Sequence, residues 1–170
     1  MKYLPQIYRI ILLSIILGFF RFYFISDDSF TLIKKERILE TVDALDLPDI
    51  LTEPKQIDTQ SAHALHIAKG AVFIDARDIN DFNEGHISGA INIPYDYYED
   101  YDYIIENLDK TSIYVIYCSG GECSLSIDLA DYLFYELDFE NILIYDDGFP
   151  DWLQNGYDVK WIILLENIII

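Results

Sequence analysis

The stretch Ile113-Tyr114-Val115-Ile116-Tyr117-Cys118-Ser119-Gly120-Gly121-Glu122-Cys123-Ser124-Leu125-Ser126-Ile127-Asp128 decides how the rest of the chain is read. Its first five residues are β-branched and aromatic, the pattern of a buried strand. The run stops at Cys118, and Gly120 and Gly121 then permit a tight turn. From Glu122 or Cys123 the spacing turns helical, with Leu125, Leu129, Tyr132 and Leu133 recurring at threes and fours. A strand, a cysteine, a glycine-rich loop and a helix start aim backbone N–H groups and the positive end of a helix dipole at one spot. A thiol held there is expected to have a lowered pKa, because its thiolate is the stabilised form, and so to be a nucleophile.

The chain has 170 residues, enough for one domain and a short extra segment. A 52% hydrophobic and 15% aromatic composition argues for order over most of its length. The net charge of -19 argues against a nucleic-acid partner and disfavours small anions as freely diffusing substrates. The two cysteines, Cys118 and Cys123, share one loop, so they form no disulfide framework.

Working outward, residues 1–25 read as a membrane anchor or uncleaved signal. Lys2 and Arg9 precede the uncharged run Ile10 to Phe20, and bulky Phe22 to Ile25 follow Arg21 with no small-residue cleavage site. A single transmembrane helix is therefore expected. The basic flank places the N-terminus in the cytoplasm and the domain outside it, in the periplasm if the source is a bacterium. Residues 26–56 are acidic, broken by Pro48 and Pro54, with a helix possible over Ile33 to Leu45. They read as a stalk.

From Ile57 the elements alternate. Helices are expected after Asp58 or Thr59 through Ile67, over Asp78 to Glu84, Tyr97 to Leu108, Ser124 to Leu137 and Pro150 to Asn155. Strands are expected over Ala71 to Ile74, Ala90 to Ile93, Ile113 to Tyr117 and Asn141 to Tyr145. This alternation predicts an α/β fold with a mostly parallel central sheet covered by helices on both faces. The site should lie beyond the carboxyl ends of the strands, where Cys118 falls. The domain spans 57–160, and 161–170 form an apolar tail that reads as either an added edge strand or a second sticky segment.

Residues from about 57 to 159 resemble a rhodanese-like sulfurtransferase domain. The resemblance rests on Val72-Phe73-Ile74-Asp75-Ala76-Arg77, on Phe82, Gly85, His86, Ile87, Gly89, Ala90, Asn92, Ile93 and Pro94, on Tyr117-Cys118 with Gly121 and Ser124, and on Gly148-Phe149-Pro150 with Trp152. It implies that Cys118 takes sulfane sulfur from a donor, holds it as a persulfide and passes it to an acceptor thiol. Ser119, Gly120, Gly121, Glu122 and Ser124 would form the substrate-binding loop. Asp75 and Arg77 would be an ion pair bracing the site. His86 reads as a turn histidine bonded to nearby backbone. His63 and His66, one helical turn apart, read as solvated side chains rather than a metal pair, so no metal or cofactor is assigned.

The family commonly has an arginine five positions after the nucleophile, where it helps bind thiosulfate. Here that position is Cys123, and Glu122 adds a negative charge. A persulfide, a polysulfide or a protein thiol is thus the expected donor, with Cys123 as a resolving thiol. Two other readings stay open: a thiol–disulfide redox protein using Cys118 and Cys123, and a non-catalytic binding module on the same fold. Copper(I) binding by the two thiolates and a phosphatase fit the loop less well.

Overall fold

Short runs of β-branched and aromatic residues build a five-stranded parallel sheet. Its order is β1 (Lys55–Ile57), β6 (Asn141–Tyr145), β5 (Ile113–Tyr117), β2 (Val72–Asp75) and β4 (Ile91–Asn92). The computed structural model describes residues 3–24, 39–43 and 51–161. It divides into two units, Met1–Ile38 and Leu39–Ile170. In register, Ile57, Tyr145, Tyr117, Asp75 and Asn92 form one row across the carboxyl ends of the strands. The loops that follow this row carry the candidate site.

Alternation along the strands sorts side chains onto two faces. Tyr114, Ile116, Ile142, Ile144 and Ile74 pack on one face with Leu129 and Ala130 of α5 (Leu125–Asp131), with Ile105 of α4 (Asp102–Ile105) and with Tyr95 and Tyr98. Phe73, Val115, Tyr117, Leu143 and Tyr145 pack on the other with Ala62 of α2 (Thr59–Ala68) and Trp152 of α6 (Gly148–Gln154). Cys118 continues the even-numbered side of β5 and belongs to the first face.

Local chemistry explains the helix ends. Asp58 caps α2 through Ser61 N at 2.8 Å, and Lys69 closes it in the left-handed region. Asp78 caps α3 (Ile79–Glu84) through Asn80 N at 2.7 Å. The expected helix over Tyr97 to Leu108 is instead a 3-10 stretch, Tyr95–Tyr101, kinked at Tyr97, followed by the single turn of α4. After α5 the chain widens into a π-helical turn, Tyr132–Glu136.

Several expectations change. The N-terminal segment is a helix, α1 (Leu4–Phe24), but among the described residues no helix is long and apolar enough to cross a membrane. Between Arg9 and Arg21 only Ile10 to Phe20 is uninterrupted, about 16 Å at the helical rise. A hydrocarbon core is roughly 30 Å thick. The single transmembrane helix expected over residues 1–25 is therefore not supported.

The stretch read as a stalk contributes to the domain. Leu39 and Leu51 are buried, Thr41 bridges to Gln56, and Lys55–Ile57 is the edge strand β1. Of the helix expected over Ile33 to Leu45, residues 39–43 are non-helical, because Thr41 bridges to Gln56, and the rest lies outside the described residues, as does the tail expected over 161–170 apart from Trp161. A second, two-stranded sheet pairs β3 (His86–Ile87) antiparallel with β7 (Val159–Lys160).

His63 and His66 are half-buried against rings rather than standing free in solvent. His63 stacks on Tyr157 at 3.6 Å between ring centroids, and both histidines meet the Trp152 indole edge-on. Trp152 is fully buried among these rings, Phe73 and Tyr145, and its indole N–H donates to Asp158 O at 3.1 Å. Removing it opens a cavity that five rings line and takes one of two donors from the Asp158 carbonyl, which also accepts from Ser88 N at 3.2 Å. Trp152→Ala is expected to destabilise the domain by about 3–5 kcal/mol. The measurement is urea unfolding of the parent and variant, with the midpoint falling at constant slope.

Candidate active site

Cys118 follows directly on β5, and its backbone is tied to a segment thirty residues away. Phe149 N donates to Cys118 O at 2.9 Å. Two glycines make this approach possible. Gly120 (φ 71°) lies against the Asp147 carbonyl, which a Cβ there would strike. A Cβ on Gly148 (φ 68°) would come within 2.5 Å of Cys118 O and 2.6 Å of Gly120 N. Any other residue at either place would be strained in its backbone and blocked by main chain.

The sulfur of Cys118 points inward, and the residue is fully buried. Sγ donates to Cys123 O at 3.4 Å and lies 3.4 Å from Ser126 Oγ. Burial is the largest influence on this thiol and pushes its pKa up, as does an interaction with the Cys123 side chain. The Ser126 hydroxyl and the backbone N–H groups of Gly120 and Ser126 pull it down, but the outcome is a thiol raised to about 11. The lowered pKa expected from the loop is therefore not what the site produces. No lysine or arginine lies in the loop from 118 to 124, and the regular helix after it is only seven residues long. Weak neutral donors do not outweigh desolvation of the anion.

The loop sorts its other residues by exposure. Ser119, Gly121 and Glu122 form an exposed rim, while Gly120 and Cys123 are half-buried. Cys123 N donates to Gly120 O at 3.3 Å, closing a turn that brings the Cys123 side chain to Cys118. Both thiols are free. Ser124 turns away from the sulfur, its hydroxyl donating to Asp128 Oδ2 at 2.8 Å.

Behind the loop, Arg77 engages Asp75 through Nη2–Oδ2 at 2.6 Å and Nε–Oδ1 at 3.0 Å, and Nη2 also donates to Gly85 O at 2.8 Å. Burial alone would lower the guanidinium pKa, but hydrogen bonding and charge from Asp75 raise it above its ordinary value. The guanidinium carbon lies 4.4 Å from the Phe149 ring centroid. The ion pair thus bears on the residue whose N–H holds the Cys118 carbonyl. Asn92 Nδ2 donates to Asp75 O and Arg77 O at 3.0 and 2.9 Å, closing the corner from β4. His86 Nδ1 is 2.7 Å from Phe82 O, and its ring stacks on Phe82.

Ser126 and Asn92 are absent from the sites read from sequence. Ser126 carried a usable signal, since it is a hydroxyl on the stripe that continues through Leu129 and Leu133 into the core. Asn92 carried none, because its partners are main-chain atoms. Among the described residues no group of three or more His, Cys, Asp or Glu side chains is placed to hold a metal ion.

Comparison with known proteins agrees with this geometry. Residues 58–155 match the rhodanese-like domain family. The thiosulfate sulfurtransferase GlpE of Pseudomonas entomophila is 34% identical over 102 residues, covering 60% of this chain and 87% of that protein. A tRNA sulfurtransferase of Pyrobaculum aerophilum is 34% identical over 83 residues, 49% of this chain but only 15% of that protein. Among solved structures, the rhodanese-like domain of an Anabaena protein superposes with a TM-score of 0.53 at 24% identity, covering 70% of this chain and 87% of that one. That likeness shows the fold.

A thiol raised to about 11 is protonated at neutral pH, and its thiolate fraction grows tenfold per pH unit until that value is reached. Iodoacetamide should therefore modify Cys118 slowly at pH 7 and faster as pH rises toward 11. Ser126→Ala removes an influence that lowers the pKa and should slow modification further at every pH below the midpoint. Site-resolved mass spectrometry across a pH series checks both. A plateau already reached near pH 8 would contradict this account.

Proposed function

This chain belongs to the rhodanese-like domain family, and on that premise we propose that it is a sulfurtransferase holding sulfane sulfur as a persulfide on Cys118, with Cys123 as a second thiol of the same site. The observation that carries the reading is the placement of the Cys118 sulfur at the carboxyl end of the sheet, against the Gly120 and Ser126 N–H groups and the Ser126 hydroxyl. Those donors suit a sulfur that is negatively charged when it leaves or accepts a sulfane atom.

In the proposed cycle the Cys118 thiolate attacks the outer sulfur of a persulfide or polysulfide. One S–S bond forms as another breaks, and the donor leaves as a thiolate or shorter polysulfide. An acceptor thiolate then takes the outer sulfur and returns Cys118. The relatives named as thiosulfate sulfurtransferases do not set the donor here, because the loop holds Glu122 and no cation and the chain carries a net charge of -19. A persulfide, polysulfide or protein persulfide is the proposed donor, and a thiol the acceptor.

A thiol–disulfide redox role is a second reading, favoured by the interaction between the Cys118 and Cys123 side chains. Membrane association is part of the proposal and rests on α1, whose Ile10, Leu13, Leu17 and Phe19 are exposed. The 170-residue chain should float with zwitterionic lipid vesicles, and a chain lacking residues 1–24 should not.

The main test uses full-length chain with glutathione persulfide or thiosulfate as donor and a small thiol as acceptor. Cys118→Ser should lower turnover from persulfide by at least ~100-fold. Thiosulfate should serve the parent at least ~10-fold less well than persulfide. Unchanged transfer in Cys118→Ser, from every donor, would overturn the reading.

A further inference from the structure

We infer that Cys123, rather than Cys118, is the thiol that first meets the sulfur donor, and that it hands the sulfane atom inward to Cys118. The inference rests on the sulfurtransferase reading and concerns the order of events within it. Cys118 is fully buried, and its sulfur is enclosed by the Cys123 carbonyl and the Ser126 hydroxyl, each at 3.4 Å, and by the N–H groups of Gly120 and Ser126. Thiol exchange needs the attacking sulfur in line with the bond it breaks, so the closed loop slows a donor outside it from presenting that bond to the enclosed atom. Cys123 is half-buried and follows the exposed Gly121 and Glu122 on the loop rim. Its side chain interacts with that of Cys118 and its carbonyl accepts from Cys118 Sγ at 3.4 Å, so a half-buried residue next to the rim touches the buried sulfur.

The ionisation of the buried thiol points the same way. With Cys118 raised to about 11, little thiolate is present there at neutral pH. Attack on a diffusing donor would need loop opening and deprotonation in the same encounter. A sulfane atom already held on Cys123 lets the second step take place inside the closed loop.

Both steps balance without an oxidant. In the first, the Cys123 thiolate attacks the outer sulfur of R–S–S–H. The new bond gives Cys123–S–S–H, and R–S⁻ leaves to take up the proton that Cys123 released to water. In the second, the Cys118 sulfur attacks the outer sulfur of Cys123–S–S–H. The products are Cys118–S–S–H and Cys123–SH, with the Cys118 proton moving to the departing Cys123 sulfur. The second step is an isomerisation in which no electrons leave the pair.

The test exposes full-length parent, Cys118→Ser and Cys123→Ser to glutathione persulfide at pH 7, quenches early with iodoacetamide and reads intact mass. Parent and Cys118→Ser should gain one sulfur atom at similar rates, while Cys123→Ser gains it at least ~10-fold more slowly. Unfolding midpoints establish that the variants are folded, and Cys123→Ala repeats the measurement with a second replacement. In denaturing urea Cys123→Ser should regain the uptake of an unhindered thiol, which locates the delay in the folded enclosure. Uptake by folded Cys123→Ser at the parent's rate, with Cys118→Ser inert, overturns the inference and leaves sulfur transfer through Cys118 standing. If the parent gains no sulfur either, the sulfurtransferase reading fails and the inference falls with it.

Discussion

The hydrogen bond from Phe149 N to Cys118 O is the constraint on which the site depends. It joins the end of β5 to the start of α6, and it forms only because Gly120 and Gly148 let two backbones meet where no side chain fits. Once the Cys118 carbonyl is held outward toward Phe149, its side chain must continue the even-numbered face of β5, toward Ser126 and Leu129. The buried Arg77–Asp75 pair acts on the same point, since the guanidinium stacks on the Phe149 ring. A buried ion pair is weak evidence for stability. Here its value is positional: two strand ends and a helix start are held in one arrangement around one carbonyl.

The electrostatics of the thiol follow from what this arrangement leaves out. Among the described residues the guanidinium tied to the site, that of Arg77, is already committed to Asp75 and Gly85 O, and the loop offers neutral donors alone. The difference between an ordinary thiol and one near 11 corresponds to roughly 3 kcal/mol against the thiolate. Sulfur contacts of 3.4 Å with neutral partners are too weak to offset that. The site therefore stores a protonated, enclosed sulfur rather than a standing nucleophile.

The sheet was legible because its strands are dense in β-branched and aromatic residues. Ile113–Tyr117 and Asn141–Tyr145 appear over the bounds their composition predicts. The cysteine loop was legible too, as glycines between a strand and a helix have few other uses. What stayed hidden depends on distant partners. Lys55–Ile57 has no strand-like composition, and it becomes a strand by pairing with β6. The raised pKa depends on how completely the loop closes, and the residues that close it, Ser126 and Gly148, lie eight and thirty positions beyond Cys118. The N-terminal run misled for a simpler reason. Its apolar composition is real, but Arg9 and Arg21 divide it at a length that composition alone does not measure.

The clamp also sets an order of assembly. Cys118 and Cys123 leave the ribosome before β6 and Gly148 do, so the loop exists for a time without the segment that closes it. Until β6 pairs with β5 and brings Phe149 to the Cys118 carbonyl, both thiols are open to any oxidant or electrophile nearby. Two cysteines five positions apart in an unfolded chain meet often, because a short loop costs little entropy to close. The protein is thus most vulnerable at its reactive centre while it is being made, and completion of the last parallel strand is what shelters the sulfur.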